Sequence, residues 1–289
     1  MAQYKTKFGK LIRISEEPLM IIAFGKKFIG KTHKTKEAMM AYIMGDKKTG
    51  AMARKSLILD ANDEFSDIKS LMIADIPEWC SDGKIEVRRV RIFDADGRRW
   101  SLDEIAGKLS EILQVFWGGL LLVEDPTKYI SDSLPNDLVG AICTQRHADC
   151  DVIIHFQTIG KIAHPKLWGN ANLIRGHKAE DTVKKHEPKF QADITGLFLL
   201  EALIQIKYEA GDERFCSHYD KDNMVVRGEF TVEDFEKAIR YYLEYNANAI
   251  KKEFERIDLD SGNKKYASQK EVIDFMKKDL MQKYYGNPK

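Results

Sequence analysis

The chain has 289 residues, 31% of them charged and 44% hydrophobic, with a formal net charge of +1. That length holds one large α/β domain, or one domain with a smaller appendage. The near-neutral balance excludes a globally basic nucleic-acid binder, so any contact with DNA or RNA has to come from local basic patches.

Residues 19–24 form an apolar run that reads as a buried strand. It leads into Gly25, Lys26, Lys27, Phe28, Ile29, Gly30, Lys31 and Thr32, which fit the phosphate-binding pattern G-x-x-x-x-G-K-[ST]. Residues 33–44, starting at His33, read as the helix that follows. The order strand, loop, helix is what phosphate binding requires. Glycines let the backbone turn its N–H groups toward phosphate oxygens, and the helix N-terminus adds a favourable dipole. Lys31 then reaches the β- and γ-phosphates, and the Thr32 hydroxyl is placed to ligate Mg²⁺. The segment from Gly25 to His33 is therefore expected to bind a nucleoside triphosphate, with ATP and Mg²⁺ as ligands.

Residues 45–50 are a polar break. Residues 56–59 form a short apolar strand ending in Asp60, with Glu64 four residues on; Asp60 either faces the same pocket or is a helix cap after its strand. Residues 67–76 suggest a short helix stopped by Pro77. Residues 85–93 alternate as a strand, and Asp96 with Gly97 signals a turn. Ser101 and Glu104 form a capping box, and apolar positions from Leu102 to Phe116 keep helical spacing.

A second buried strand, 120–123, ends in Glu124 and Asp125. An NTPase needs carboxylates beside the phosphate loop, one toward Mg²⁺ and one toward the attacking water. Glu124 is assigned to the Mg²⁺ side, with Thr32, and Asp125 to the water. A helix is expected over 136–146 and a third buried strand over 152–156, ending at Gln157; Leu173 and Ile174 suggest one more. Apolar strands separated by helices indicate a mainly parallel sheet covered on both faces.

After residue 195 the pattern changes. Residues 194–206 contain Glu201 and Gln205 and are too short to span a bilayer, so they read as a buried helix. A hairpin is expected within 213–226, and helices over 231–242, capped by Thr231, and over 268–284. The expected division is a core over 1–195 and a mostly helical appendage over 196–289. Residues 1–10 are polar and basic with no apolar run behind them, so no signal peptide is expected. Cys80, Cys143, Cys150 and Cys216 lack C-x-x-C spacing and read as reduced thiols. A cytoplasmic protein without a membrane span is the expectation.

The phosphate loop, the acid-ended strand, and Arg146 eleven residues before the strand-ending Gln157 together resemble the FtsK/HerA superfamily of DNA-translocating ATPases. Residues 57–65 and 170–175 echo the same pattern, so the resemblance covers about residues 15–180. It implies a RecA-like (ASCE) P-loop fold, a γ-phosphate sensor at Gln157, and an arginine finger at Arg146 acting on a neighbouring subunit's nucleotide. It further implies a homo-oligomeric ring, expected to be a hexamer, acting on DNA without sequence preference. Small members without membrane segments resemble viral genome-packaging ATPases, which would work in host cytoplasm or virion, at a capsid or membrane vertex. Plasmid, conjugative or Zot-like DNA-transfer ATPases are the neighbouring alternative. The order Glu124 then Asp125 departs from the family's usual Asp then Glu.

Two clusters, Arg88, Arg89, Arg91, Arg98 and Arg99, and Lys178, Lys184, Lys185 and His186, are either DNA-facing patches or solvated faces. His147 and His155 read as packing or surface residues. Other classes stay open: a P-loop kinase or GTPase, the latter disfavoured because Asn263-Lys264-Lys265-Tyr266 lacks the Asp of a guanine reader, and a non-hydrolysing nucleotide-binding assembly factor.

Overall fold

The computed structural model describes residues 18–47, 50–94, 96–126, 140, 148–190, 193–257 and 264–286. The expected helix over 136–146, and with it Arg146, His147 and Cys143, lies outside the described residues except for Gly140.

The apolar runs pair as expected. β1 (Met20–Phe24), β2 (Lys55–Asp60), β4 (Gly119–Val123) and β5 (Asp151–Phe156) are buried at every position, which is why they read as continuous apolar segments rather than alternating ones. With β3 (Val87–Arg91) and β6 (Leu173–Gly176) they form the parallel part of an eight-stranded sheet. β7 (Ser217–Asp220) and β8 (Val225–Gly228) extend the β6 edge antiparallel, giving the order β3-β2-β4-β5-β1-β6-β7-β8. One strand, β5, thus stands between the phosphate-loop strand β1 and the acid-ended strand β4. This is a P-loop NTPase fold of the RecA-like kind, a mainly parallel sheet covered by helices.

One face of the sheet is covered by α1 (Lys31–Met44), whose Met39 and Tyr42 pack on Ile21, Leu122, Ile153 and Leu173. The larger core lies on the opposite face. There α3 (Leu102–Val115), held at its start by the reciprocal Ser101–Glu104 capping box, buries Ile105, Leu109 and Ile112. The helix labelled α7 here (Thr195–Glu209) buries most of its residues in the same core, and α8 (Val232–Tyr245), capped by Thr231, packs beside it. Between β5 and α7 lie the short helices α4 (Ile159–Ile162), α5 (Pro165–Asn170) and α6 (Val183–His186). α9 (Ala247–Phe254) and α10 (Gln269–Tyr284) complete the mostly helical C-terminal part. No helix among the described residues is long and apolar enough to cross a membrane. Cys80, Cys150 and Cys216 are free thiols.

Pro77 does not stop a helix. It opens α2 (Ile76–Ser81), after a 3₁₀ turn over Ile73–Asp75, because a first-turn proline sacrifices an N–H that has no helical partner anyway. The arginine cluster on β3 and the following turn is not a free basic patch either. Arg89 pairs with Asp60 and Asp63, Arg91 with Asp63, Arg88 with Glu86, and Arg98 with Asp94 and Glu104.

His177 and His218 are buried, and burial pushes both imidazoles down, His218 to about 3. Below pH 6.5 the unfolded chain takes up a proton at each position that the folded chain refuses, so stability falls with falling pH. For His218 that window runs from about 6.5 to about 3. Each histidine contributes roughly 1.4 kcal/mol per pH unit within its window. His218→Gln is expected to make unfolding free energy, measured in urea between pH 6 and 5, less steep by about one proton. An unchanged slope would refute a neutral buried His218.

Candidate functional site

The loops after β1, β4 and β5 meet at the carboxyl ends of adjacent strands, where open α/β sheets place their ligands. A cavity of about 630 Å³ opens there. Its walls include Lys27, Phe28, Gly30, Lys31, Thr32 and His33 from the phosphate loop, Glu124 and Asp125 after β4, and Gln157 after β5. Every expected site residue after β4 and β5 that is described therefore faces the same space as the loop.

The loop geometry depends on its glycines. Gly25 has φ +149°, and its missing side chain makes room for His177, whose Cβ would stand 2.7 Å from a Cβ at position 25. The Gly25 N–H donates to the Phe156 carbonyl, and the Lys26 N–H to Lys178, so the loop is tied to β5 and to the segment after β6. Gly30, also left-handed, delivers the chain into α1. Phe28 holds φ +62° at the loop tip with its ring in solvent, a conformation that costs a non-glycine residue about 1 kcal/mol or more. Lys26 Nζ donates to the Tyr208 hydroxyl at 3.1 Å, and Ile29 is buried beneath the loop. His33 lies at the rim beside Glu37, at 3.3 Å.

Lys31 Nζ donates to the Gly25 and Lys26 carbonyls. Burial pushes its ammonium down to about 8, against the upward pull of Asp125, Glu124 and Glu64. The Thr32 hydroxyl donates to Glu64 at 3.3 Å. Glu124 and Asp125 are both nearly buried. Asn62 Nδ2 donates to Glu124 Oε2 at 3.1 Å, His155 Nδ1 stands 3.4 Å from Glu124 Oε1, and Gln157 Nε2 donates to Asp125. Asp60 does not reach the cavity. It is fully buried and receives the Glu64 and Phe65 N–H groups and Arg89, so it braces the loop that carries Asn62 and Glu64.

Five residues join the site that the motifs did not assign to it: Asn62, Glu64, His155, Phe156 and Arg214. Asn62 and Glu64 follow a strand end, the one signal that could have placed them. Arg214 comes from the turn between α7 and β7, and no local pattern marks it.

The donor set suits a triphosphate with Mg²⁺. Thr32, Glu64, Glu124 and Asp125 supply hard oxygens, and Lys31 with the loop N–H groups supplies positive charge. Among the described residues no group of three or more His, Cys, Asp or Glu forms a self-contained metal cage. Mg²⁺ bound through one or two protein oxygens, water and phosphate requires none.

No family model matches the chain, and no curated protein matches it. Among solved structures, the genome-packaging NTPase B204 of Sulfolobus turreted icosahedral virus 2 in complex with AMP is 15% identical. That match covers 75% of this chain and 98% of the other, with a TM-score of 0.48. The same NTPase in complex with ATP-gammaS is 14% identical over 73% of this chain and 95% of its own, with a TM-score of 0.44. The DNA-packaging ATPase B204 from Sulfolobus Turreted Icosahedral Virus is 15% identical over 73% and 96%, with a TM-score of 0.47. The strand order and the phosphate loop define the class on their own terms, a RecA-like P-loop NTPase fold. Within that class the motifs resemble the FtsK/HerA superfamily.

Gly25→Ala tests the loop geometry. Its Cβ has no room beside His177 and its φ is unfavourable for alanine, so affinity for an ATP analogue should fall at least about tenfold while the fold persists. Calorimetric titration checks this; wild-type affinity would show that the loop does not need glycine there.

Proposed function

We propose that the chain is an ATP-hydrolysing DNA translocase of the FtsK/HerA type, most concretely a viral genome-packaging ATPase. The observation that supports hydrolysis is the meeting of Lys31, Thr32, Glu124, Asp125 and Gln157 around one cavity at the ends of β1, β5 and β4.

In this reading the loop N–H groups and Lys31 hold the phosphates, and Thr32 and Glu124 hold Mg²⁺. The metal, when bound, neutralises charge on the β- and γ-phosphate oxygens. Asp125, held by Gln157, orients the attacking water and takes its proton as the oxygen–phosphorus bond forms and ADP departs. Gln157 donates to that acid, which suits the γ-phosphate sensor that the resemblance implies. Residues 1–195 carry this chemistry. Residues 196–289 add β7 and β8 to the sheet edge and bring Arg214 to the cavity. Arg146 is the proposed finger, supplied to a neighbour's nucleotide in a homo-oligomeric, hexameric ring, where a guanidinium stabilises charge spread over the transferring phosphoryl. The DNA substrate and the packaging role rest on the motif resemblance.

ATP hydrolysis measured with and without double-stranded DNA separates the readings. Stimulation by DNA is expected; hydrolysis indifferent to DNA points to a kinase-like or other NTPase, and none at all to a non-hydrolysing assembly factor. Lys31→Ala is expected to abolish hydrolysis, a loss of roughly a hundredfold or more.

Arg146→Ala should abolish hydrolysis while keeping ATP binding. Mixed with Lys31→Ala subunits it should regain part of the activity, because each variant supplies what the other lacks across an interface. Full DNA-stimulated activity in Arg146→Ala alone would remove the finger assignment.

A further inference from the structure

Behind the cavity wall runs a row of polar side chains buried between α1 and the sheet. Parallel pairing sets Ala23 of β1 opposite His155 on one side and Arg175 on the other, and the antiparallel β6–β7 pairing sets Arg175 in turn opposite His218. The register of β4 with β5, Val123 opposite Ile154, carries the row on to Glu124. Thr35, one turn into α1 beyond Lys31, reaches both neighbours of Ala23 in the row, His155 and Arg175.

Thr35, His155, Arg175 and Glu124 are each 3% exposed or less. An Arg175 NH2 donates to the Thr35 hydroxyl and lies 3.2 Å from His155 Nε2. Thr35 Oγ1 is 2.7 Å from the same nitrogen, and His155 Nδ1 faces Glu124 Oε1 at 3.4 Å.

The proton positions follow from donor chemistry. A guanidinium has no acceptor, so Nε2 of His155 must carry its lone pair toward Arg175 and Thr35. Thr35 accepts from Arg175 and donates its own hydrogen to Nε2. The imidazole proton then sits on Nδ1, pointing at Glu124. Arg175, pushed down to about 10 by burial, keeps its charge at neutral pH.

Among the described residues no carboxylate pairs directly with Arg175, and a lone guanidinium in a dry interior is costly. The line from Arg175 through Thr35 and His155 comes within 3.4 Å of Glu124, so a hydroxyl and an imidazole stand between the buried guanidinium and that carboxyl. We infer that His155 is a positioning residue that fixes the Glu124 carboxylate in the cavity, with its tautomer set by Thr35 and Arg175. Asn62 holds the second Glu124 oxygen from the other side, so the carboxylate is gripped at both atoms before any ligand arrives. Ligand-bearing carboxylates gain orientation from such outer partners, whose removal typically costs ten- to a hundredfold.

The inference rests on the NTPase reading of the cavity, and the test keeps the two apart. Long-range proton–nitrogen spectra of the histidine side chains, with His155→Gln to assign the signal, read the tautomer in the wild-type protein without any turnover. Nδ1–H is expected there; Nε2–H would overturn the inference. Thr35→Val removes the hydroxyl and keeps the shape. It should mix the two tautomers and lower kcat for ATP hydrolysis roughly ten- to a hundredfold, with ATP-analogue affinity within about twofold of wild type. Thr35→Ser retains the hydroxyl and should restore both signals. Thr35→Val with wild-type tautomer and kcat would overturn the inference. A wild-type protein that binds ATP without hydrolysing it would instead sink the NTPase reading, while the tautomer spectrum still decides the role of His155.

Discussion

The parallel pairing of β1 with β5, with Ala23 opposite His155, places the phosphate loop relative to the loops after β5 and β4. It sets the loop after β1 beside Gln157, and through β5 it sets both beside Glu124 and Asp125 on β4. Because side chains alternate along a strand, one residue of slip in β5 would turn His155 to the opposite face and bring Phe156 beneath α1. The register is held by large apolar residues on both faces, from Ile21, Ile153 and Leu122 under α1 to Ile22, Ile154 and Leu121 on the other side.

That constraint gives the α1 face two layers. The lower layer is apolar, where Met39 and Tyr42 rest on Ile21, Leu122, Ile153 and Leu173. The upper layer, toward the strand carboxyl ends, is polar, where Thr35 meets His155 and Arg175. The apolar layer supplies favourable burial, about 25 cal/mol for each Å² removed from water, and anchors the helix. The polar layer contributes little net stability but restricts how the first turn of α1, and with it Lys31 and Thr32, sits over the sheet. On the far side of the cavity Asp60 and Arg89 brace the loop bearing Asn62 and Glu64. Both walls are therefore built from buried, hydrogen-bonded charge, while the floor is the rigid sheet.

Much of this was legible along the chain because the signals are local. β1, β2, β4 and β5 are recognisable since strands buried on both faces cannot afford polar alternation. The capping boxes at Ser101 and Thr231 need only four residues to declare themselves, and both helices start where they predict. Pro77 misled because a proline marks a boundary without saying which side the helix lies on. Arg89 and Arg91 looked like part of a basic patch because their acidic partners, Asp60 and Asp63, are distant in sequence. α4, α5 and α6 are four to six residues long, too short for a periodic pattern to register.

By itself the sequence determined the phosphate loop between strand and helix, the acid-ended and glutamine-ended strands, and the mainly parallel sheet. Each of these is written in contiguous residues whose spacing matches backbone geometry. Only the tertiary structure decided that β5 separates β1 from β4, that β7 and β8 join the sheet edge, and that Asp60 braces rather than binds. It also decided that His155, a packing residue by its local context, stands between Arg175 and Glu124. Those outcomes depend on strand order and register, which bring together residues far apart in the chain, Arg175 and Thr35 among them at 140 positions, and no local pattern encodes them.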